Sequence, residues 1–273
     1  LRAAIRDWYS RRFGVHIDPE TEITSLLGSQ DGLAHIALTI VDPGDVVIVP
    51  DPGYPIFSVG PLIAGARLFK VPLHRDKGFI LDFNDIPEDV ARRAKLLIVS
   101  YPGNPVTVPA PARFYEDLIA FAKKYDIIVA HDNAYCELTF DGFTAGSFLA
   151  YPGAMDVGIE LNSLSKTYNM AGCRIGAALG NRDVIQQLST IKSHLDYGIF
   201  IPLQKAAIAA LNGPQEPVRQ NAFAYQRRRD ALIGGLADIG WEIPKPKATM
   251  FVWAPVPAGF NGSIDFSLKL LEK

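Results

Sequence analysis

The sequence predicts an α/β protein whose mostly parallel sheet is covered by helices. Three observations carry that expectation. Short apolar runs rich in Val and Ile recur at DVVIVP (45–50), KLLIVS (95–100), DIIVAHD (126–132) and VGIELNS (157–163). The runs are continuous rather than alternating in polarity, as strands buried on both faces require. Between them lie amphipathic helical stretches. In DGLAHIALTIV, Leu33, Ile36, Ala37, Ile40 and Val41 share one face, as do Phe114, Leu118, Phe121, Ala122 and Tyr125 in ARFYEDLIAFAKKYD.

The texture changes after residue 212. NGPQEP (212–217) reads as a turn, followed by a helical stretch to about Ile239 that carries the basic run YQRRRD. That run is expected to be a solvated helix face. ATMFVWAPVP (248–257) reads as a strand. The expected division is a large ligand-binding domain over 1–215, then a linking helix and part of a smaller C-terminal α/β domain over 216–273. The chain opens on Leu1, inside a helical pattern with no N-cap signal, and stops within IDFSLKLLEK. It is therefore expected to be a segment of a longer polypeptide, cut at both ends.

Composition excludes several functions. A net charge of −2 gives no bias toward nucleic acid or an anionic membrane. No apolar run approaches the ~20 residues of a membrane span. The two cysteines, Cys136 and Cys173, have neither disulfide nor zinc spacing. A soluble protein of the reducing cytoplasm, without a metal, is the expectation.

In such a sheet, ligands bind at the carboxyl ends of the strands. The polar signals fall there. After TEITSLLG, the segment GSQDG opens a helix with Ser29 and Gln30, a favourable seat for a phosphate. After DVVIVP, Tyr54 stands between prolines in DPGYPIF, placed to cover something flat. After KLLIVS, Asn104 offers an amide in YPGNPVTVP. After DIIVA, Asp132 ends a buried strand, where an ionised carboxylate needs a cationic partner, and Tyr135 follows. After VGIELNS comes SLSKTYNMAGCRIG, in which Ser163 and Ser165 flank Lys166 and Arg174 follows between glycines. Each has an ordinary structural explanation alone: a helix cap, a packed aromatic, a turn. His131 is read as a structural histidine. As an ordered set they match the needs of a phosphorylated pyridine aldehyde: an anion seat, a stacking ring, a donor to the ring hydroxyl, an acid for the ring nitrogen and an amine for the aldehyde.

On these motifs the sequence resembles the fold-type I pyridoxal-phosphate enzymes, specifically the class I/II aminotransferases. Within them it is similar to the branch of bacterial alanine transaminases and LL-diaminopimelate aminotransferases. GSQDGLAH, VPDPGYPIF, AKKYDIIVAHDNAY, LSKTYNMAGCRIG, DYGIFIPLQKAAIAALNGPQ and PKATMFVWAPVP carry the likeness, which spans the whole chain. It implies a pyridoxal 5'-phosphate-binding large domain over 1–215. It implies that Lys166 is the Schiff-base lysine, that Asp132 pairs with the ring nitrogen and that Asn104 and Tyr135 bond the ring hydroxyl. Tyr54 would stack on the ring, and Ser29, Gln30, Ser163 and Arg174 would hold the phosphate. Lys166, Asp132 and Tyr135 form the implied catalytic set.

Three positions depart from the family pattern. Val106 and Thr107 replace the usual Thr-Gly after the Asn-Pro pair, Asn133 replaces a common glutamate, and Cys173 replaces a tryptophan. The arginine that grips the substrate carboxylate in the family would lie beyond Lys273. The resemblance further implies a homodimer with shared active sites, and HLDYGIFIPLQ (194–204) has the apolar composition of such a contact through Tyr197, Ile199, Phe200 and Ile201. The expected reaction is amino transfer from a small amino acid such as alanine to a 2-oxo acid such as 2-oxoglutarate. LL-diaminopimelate or aspartate transamination, a Cβ lyase sharing the same groups, and a non-catalytic effector-binding domain are the alternatives.

Overall fold

A computed structural model describes residues 1–272. The chain begins with α1 (Arg2–Phe13), β1 (Ile23–Leu26), α2 (Ser29–Ile40), β2 (Val46–Asp51), α3 (Ile56–Ile63) and β3 (Arg67–Pro72). It continues through α4 (Glu88–Ala91), β4 (Ala94–Val99), α5 (Ala112–Tyr125), β5 (Ile128–Asp132), α6 (Ala154–Val157) and β6 (Gly158–Ser163). Last come α7 (Leu164–Thr167), β7 (Gly176–Gly180), α8 (Arg182–Leu195), α9 (Ile201–Asn212), α10 (Glu216–Asp238) and α11 (Ser263–Leu271).

The strands of the described residues form one sheet in the order β1-β7-β6-β5-β4-β2-β3. β2, β3, β4, β5 and β6 run parallel to their neighbours, whereas β7 is antiparallel to both β6 and β1. Two reversals cancel, so β1 points the same way as β6. Consequently the carboxyl ends of β1, β2, β4, β5 and β6 and the amino end of β7 share one edge.

Alternating strand residues feed two cores, which is why the runs are apolar throughout. Val46, Ile48, Leu97, Val99 and Val129 pack with Trp8 and Tyr9 of α1 and with Phe114 and Leu118 of α5. Val47, Val49, Leu96, Ile98, Ala130, Ile159 and Leu161 pack on the other side with Leu33 and Ile36 of α2 and Ile185 and Leu188 of α8. Each fully buried Leu or Ile contributes on the order of 2 kcal/mol of transfer free energy. The sheet is thus a rigid floor for its loop edge.

A buried charge ties three parts of the first core together. Glu160 on β6 accepts hydrogen bonds from Tyr9 Oη (2.9 Å), Ser147 Oγ (2.9 Å) and the Phe148 N–H (2.8 Å). Its other neighbour is His131 Nδ1 at 3.0 Å. Burial, the largest influence, pushes the Glu160 carboxyl up, but the hydrogen bond and charge of His131, with Asn133 and Ser147, hold it below its ordinary value. His131 is therefore the structural histidine expected of it.

Two expectations change. In YQRRRD, Arg227 and Arg228 face solvent but Arg229 is buried. Helical geometry turns it inward, where it donates to Asp141 Oδ2 (2.7 Å) and Oδ1 (3.0 Å) and to the Pro246 carbonyl (2.6 Å). Residues 248–257 do not form a strand. Apart from one bridge between Thr139 and Ala248, they pair with no strand among the described residues, and a strand exists only through its ladder. Among the described residues no helix is long and apolar enough to cross a membrane.

Candidate active site

The shared edge gathers every residue singled out above. Ser29 and Gln30 occupy the first turn of α2, where unpaired backbone N–H groups and the helix dipole favour an anion. Gly28, just before them, has φ +85°, and a Cβ there would lie 2.5 Å from Arg174 Nη2. The backbone there calls for glycine, and a side chain would push the guanidinium aside. Arg174 itself adopts a left-handed conformation (φ 54°), a strained choice for a side-chain-bearing residue. It is fixed by donating from Nη1 to the Ala171 carbonyl (3.0 Å) and from Nη2 to the Leu27 carbonyl (3.3 Å). Gly176 completes the seat, since a Cβ there would approach the Ser29 nitrogen to 2.9 Å. The reversal of β7 explains how Arg174 arrives at this edge at all.

Tyr54, half-buried after β2, donates from its hydroxyl to Gln30 Oε1 at 3.0 Å. Its ring meets Phe57 edge-on, 5.9 Å between centroids. Asn104 follows β4. Asp132 ends β5, 5% exposed, with Oδ1 lacking any hydrogen-bond partner. Burial pushes its carboxyl up to about 6, partly offset by the His131 charge and the Ala134 N–H. Burial likewise raises the Tyr135 hydroxyl far above its ordinary value; the Asp132 charge and Tyr54 add to that, and a hydrogen bond with Asn104 opposes it. Asn104, Asp132 and Tyr54 thus all lie near enough to Tyr135 to act on its hydroxyl.

Ser163 ends β6 and caps the single turn α7, its Oγ accepting the Ser165 N–H at 3.2 Å. Lys166 lies within that turn, half-buried. Two residues not foreseen from sequence support these groups. Ser100 Oγ donates to the Asp132 carbonyl (3.0 Å), and Asn221 Nδ2 of α10 donates to the Lys166 carbonyl (2.9 Å). Neither lies in a motif; only folding brings them close. Of the departures, Val106 and Thr107 are buried, and Asn133 donates to the Gly146 carbonyl at 3.2 Å, away from the Asp132 carboxylate. Cys173 is half-buried beside Arg174.

Chemically the edge offers an anion seat, an aromatic wall, a buried carboxylate in want of a cation, and an amine. The family model of the class I and II aminotransferases matches residues 1–273. The LL-diaminopimelate aminotransferase of Moorella thermoacetica is 51% identical over 273 residues, which cover all of this chain and 70% of that protein. That of Halothermothrix orenii is 47% identical over 272 residues, with the same coverage. Among solved structures, substrate-bound BacF from Bacillus subtilis superposes with a TM-score of 0.95 at 40% identity, covering 99% of this chain and 69% of that one. From its first residue to its last, this chain belongs to the class I and II aminotransferases, enzymes that work with pyridoxal 5'-phosphate.

Proposed function

We propose that this aminotransferase acts on LL-diaminopimelate, with 2-oxoglutarate as the amino acceptor. The likeness along the whole chain to enzymes bearing that name carries the reading. It favours LL-diaminopimelate, one of the alternatives in the sequence reading, over the small amino acid such as alanine expected there. Under this reading, full-length enzyme assayed with 2-oxoglutarate has a kcat/KM for LL-diaminopimelate at least roughly 10²-fold above that for alanine, because a site built for a second polar end leaves it unpaired with alanine. Equal values for the two would sink the substrate assignment alone.

The residues of the edge fit the cofactor. The orphaned, buried Asp132 Oδ1 is the acceptor that a protonated pyridine nitrogen needs, and Gly28 keeps open a cradle that a side chain would fill. Pyridoxal 5'-phosphate supplies an aldehyde that bonds an amine and a ring that takes up the electron pair left on the substrate's α-carbon. Ser29, Gln30, Ser163 and Arg174 hold its phosphate, and Tyr54 covers the ring. Asn104 and Tyr135 hydrogen-bond the ring hydroxyl. Asp132 keeps the proton on the ring nitrogen. Lys166 would hold the cofactor covalently through Nζ, and the same amine is the base that would move the α-carbon proton.

A division at residue 215 belongs to the same reading, with 1–215 as the cofactor-binding domain and 216–273 as linking helix and partial small domain; α10 begins at Glu216. A reducing cytoplasm accords with both cysteines being free. A homodimer is supported by the turn after α8, where Tyr197 is 94% exposed and Phe200 71%. Ile199 is withdrawn from that face, being buried in the chain's own core. Full-length protein should sediment as a dimer, and Phe200→Asp should raise the dimer dissociation constant at least about 100-fold, since an unpaired carboxylate at a dry contact costs several kcal/mol. A wild-type protein that stays monomeric at high concentration would remove the dimer.

A further inference from the structure

Lys192 is a lysine the reaction does not use, yet its side chain is 6% exposed. Its ammonium lies between two carboxylates. It donates to Asp31 Oδ2, on α2, and at 2.5 Å to Asp196 Oδ2, at the end of its own helix α8. A buried ion pair is weak evidence of added stability, because desolvation offsets the attraction. Its geometry is more informative than its energy.

Asp31 Oδ2 accepts a second donor, the Leu27 N–H at 2.9 Å, while Asp31 Oδ1 faces His35 Nδ1 at 2.8 Å. Leu27 in turn offers its carbonyl to Arg174 Nη2 at 3.3 Å. A single residue, Leu27, thus separates the buried carboxylate from the exposed guanidinium. Between Leu27 and Asp31 lie Gly28, Ser29 and Gln30, so the carboxylate closes a loop around the anion seat. Asp31, His35 and Asp196 also place ligand atoms within 4.8 Å of one another, a spacing suited to a metal ion. The Lys192 ammonium already lies between the two carboxylates, so the cation of this cluster is the chain's own.

We propose that Lys192 is a positioning residue for the phosphate seat: by holding Asp31 it fixes the Leu27–Gln30 turn against Arg174. This rests on the reading of Ser29, Gln30 and Arg174 as the phosphate's holders. Asp31 lies in the first turn of α2, where any tilt of its carboxylate tilts the N–H groups that meet the anion. Without the ammonium, Asp31 and Asp196 become two facing, uncompensated carboxylates, and their repulsion pulls the turn away from Arg174. Among the described residues, the groups of the ring site after β4, β5 and β6 make no hydrogen bond with this chain of bonds, which meets the ring site only through Tyr54 on Gln30.

The test compares two ligands on cofactor-free, full-length protein: pyridoxal 5'-phosphate and pyridoxal, which lacks the phosphate. In Lys192→Met the dissociation constant for the phosphorylated ligand should rise at least about ten-fold, the loss of one charge-assisted hydrogen-bonded contact. That for pyridoxal should change less than about two-fold, and Lys192→Arg should restore most of the difference. A general loosening of the fold would weaken both ligands alike; that result, or no change in either, overturns the proposal. Should Lys192→Met not fold, Asp31→Asn carries the same expectation, because a neutral amide oxygen holds the ammonium, and the turn with it, far less strongly than the carboxylate does. Ser29→Ala separates the two levels. If it too weakens both ligands equally, the phosphate seat itself is misassigned; if it discriminates and the Lys192 and Asp31 variants do not, only the role of Lys192 falls.

Discussion

Replacing Lys166 by alanine is expected to abolish transamination, lowering turnover at least roughly 10⁴-fold, the upper range of what a positioned general base alone contributes. Two functions vanish with one amine: the covalent hold on the cofactor and the base that moves the α-carbon proton. The structure indicates why no neighbour substitutes. Lys166 sits in a single turn whose start is capped by Ser163 and whose Lys166 carbonyl is held by Asn221. The amine is thus delivered from a backbone fixed at both ends. Borohydride reduction of full-length wild type followed by peptide mapping should place the pyridoxyl mass on residue 166, and the variant should show none. An adduct on another lysine would end the assignment.

Asp132→Asn is expected to cut turnover by roughly 10²-fold or more, since an amide accepts from the ring nitrogen but does not hold its proton. Stability should move the other way in cofactor-free protein. The folded-state value of about 6 lies above the ordinary 3.8, so the folded protein holds this proton more tightly than the unfolded chain. The associated stabilisation is present below about pH 4 and is lost as pH rises through 6. Leaving the carboxylate ionised and alone then costs up to about 3 kcal/mol. Urea melts at pH 7.5 should find the cofactor-free variant more stable than wild type and gaining less from added pyridoxal 5'-phosphate. Unchanged turnover would mean that the ring nitrogen has another partner.

Much of this architecture is legible in the sequence where one side chain type repeats. The four Val/Ile-rich runs are β2, β4, β5 and β6 to within two residues at each end, because a strand sandwiched between helix layers must be apolar on both faces. β3 and β7 escape that signal for opposite reasons. β3, RLFKVP, is an edge strand with exposed Arg67 and Lys70, and β7, GAALG, is buried but built from residues too small to look like a strand. The strand ends are legible as well, since motifs mark the loops that follow them. What leaves no mark is the support behind them. Lys192 and Asp31 stand 161 residues apart and Asn221 and Lys166 stand 55 apart; in one dimension each is an ordinary helix residue. The inward turn of Arg229 is hidden similarly, because a run of three arginines does not say which one faces the protein.

The position of β1 has a consequence in time. Ile23 pairs with Leu179 on β7, and Tyr9 bonds to Glu160, 151 residues away. α1 and β1 are therefore completed by the last strands of the sheet. At ~5–20 residues per second, a ribosome spends roughly 8–30 s on the 151 residues between Tyr9 and its carboxylate. During that interval Tyr9 lacks the carboxylate it bonds to, and β1 lacks its ladder and offers an unpaired edge to any other nascent chain. The pace of translation, more than the final stability of the sheet, sets how long α1 and β1 need shelter from aggregation.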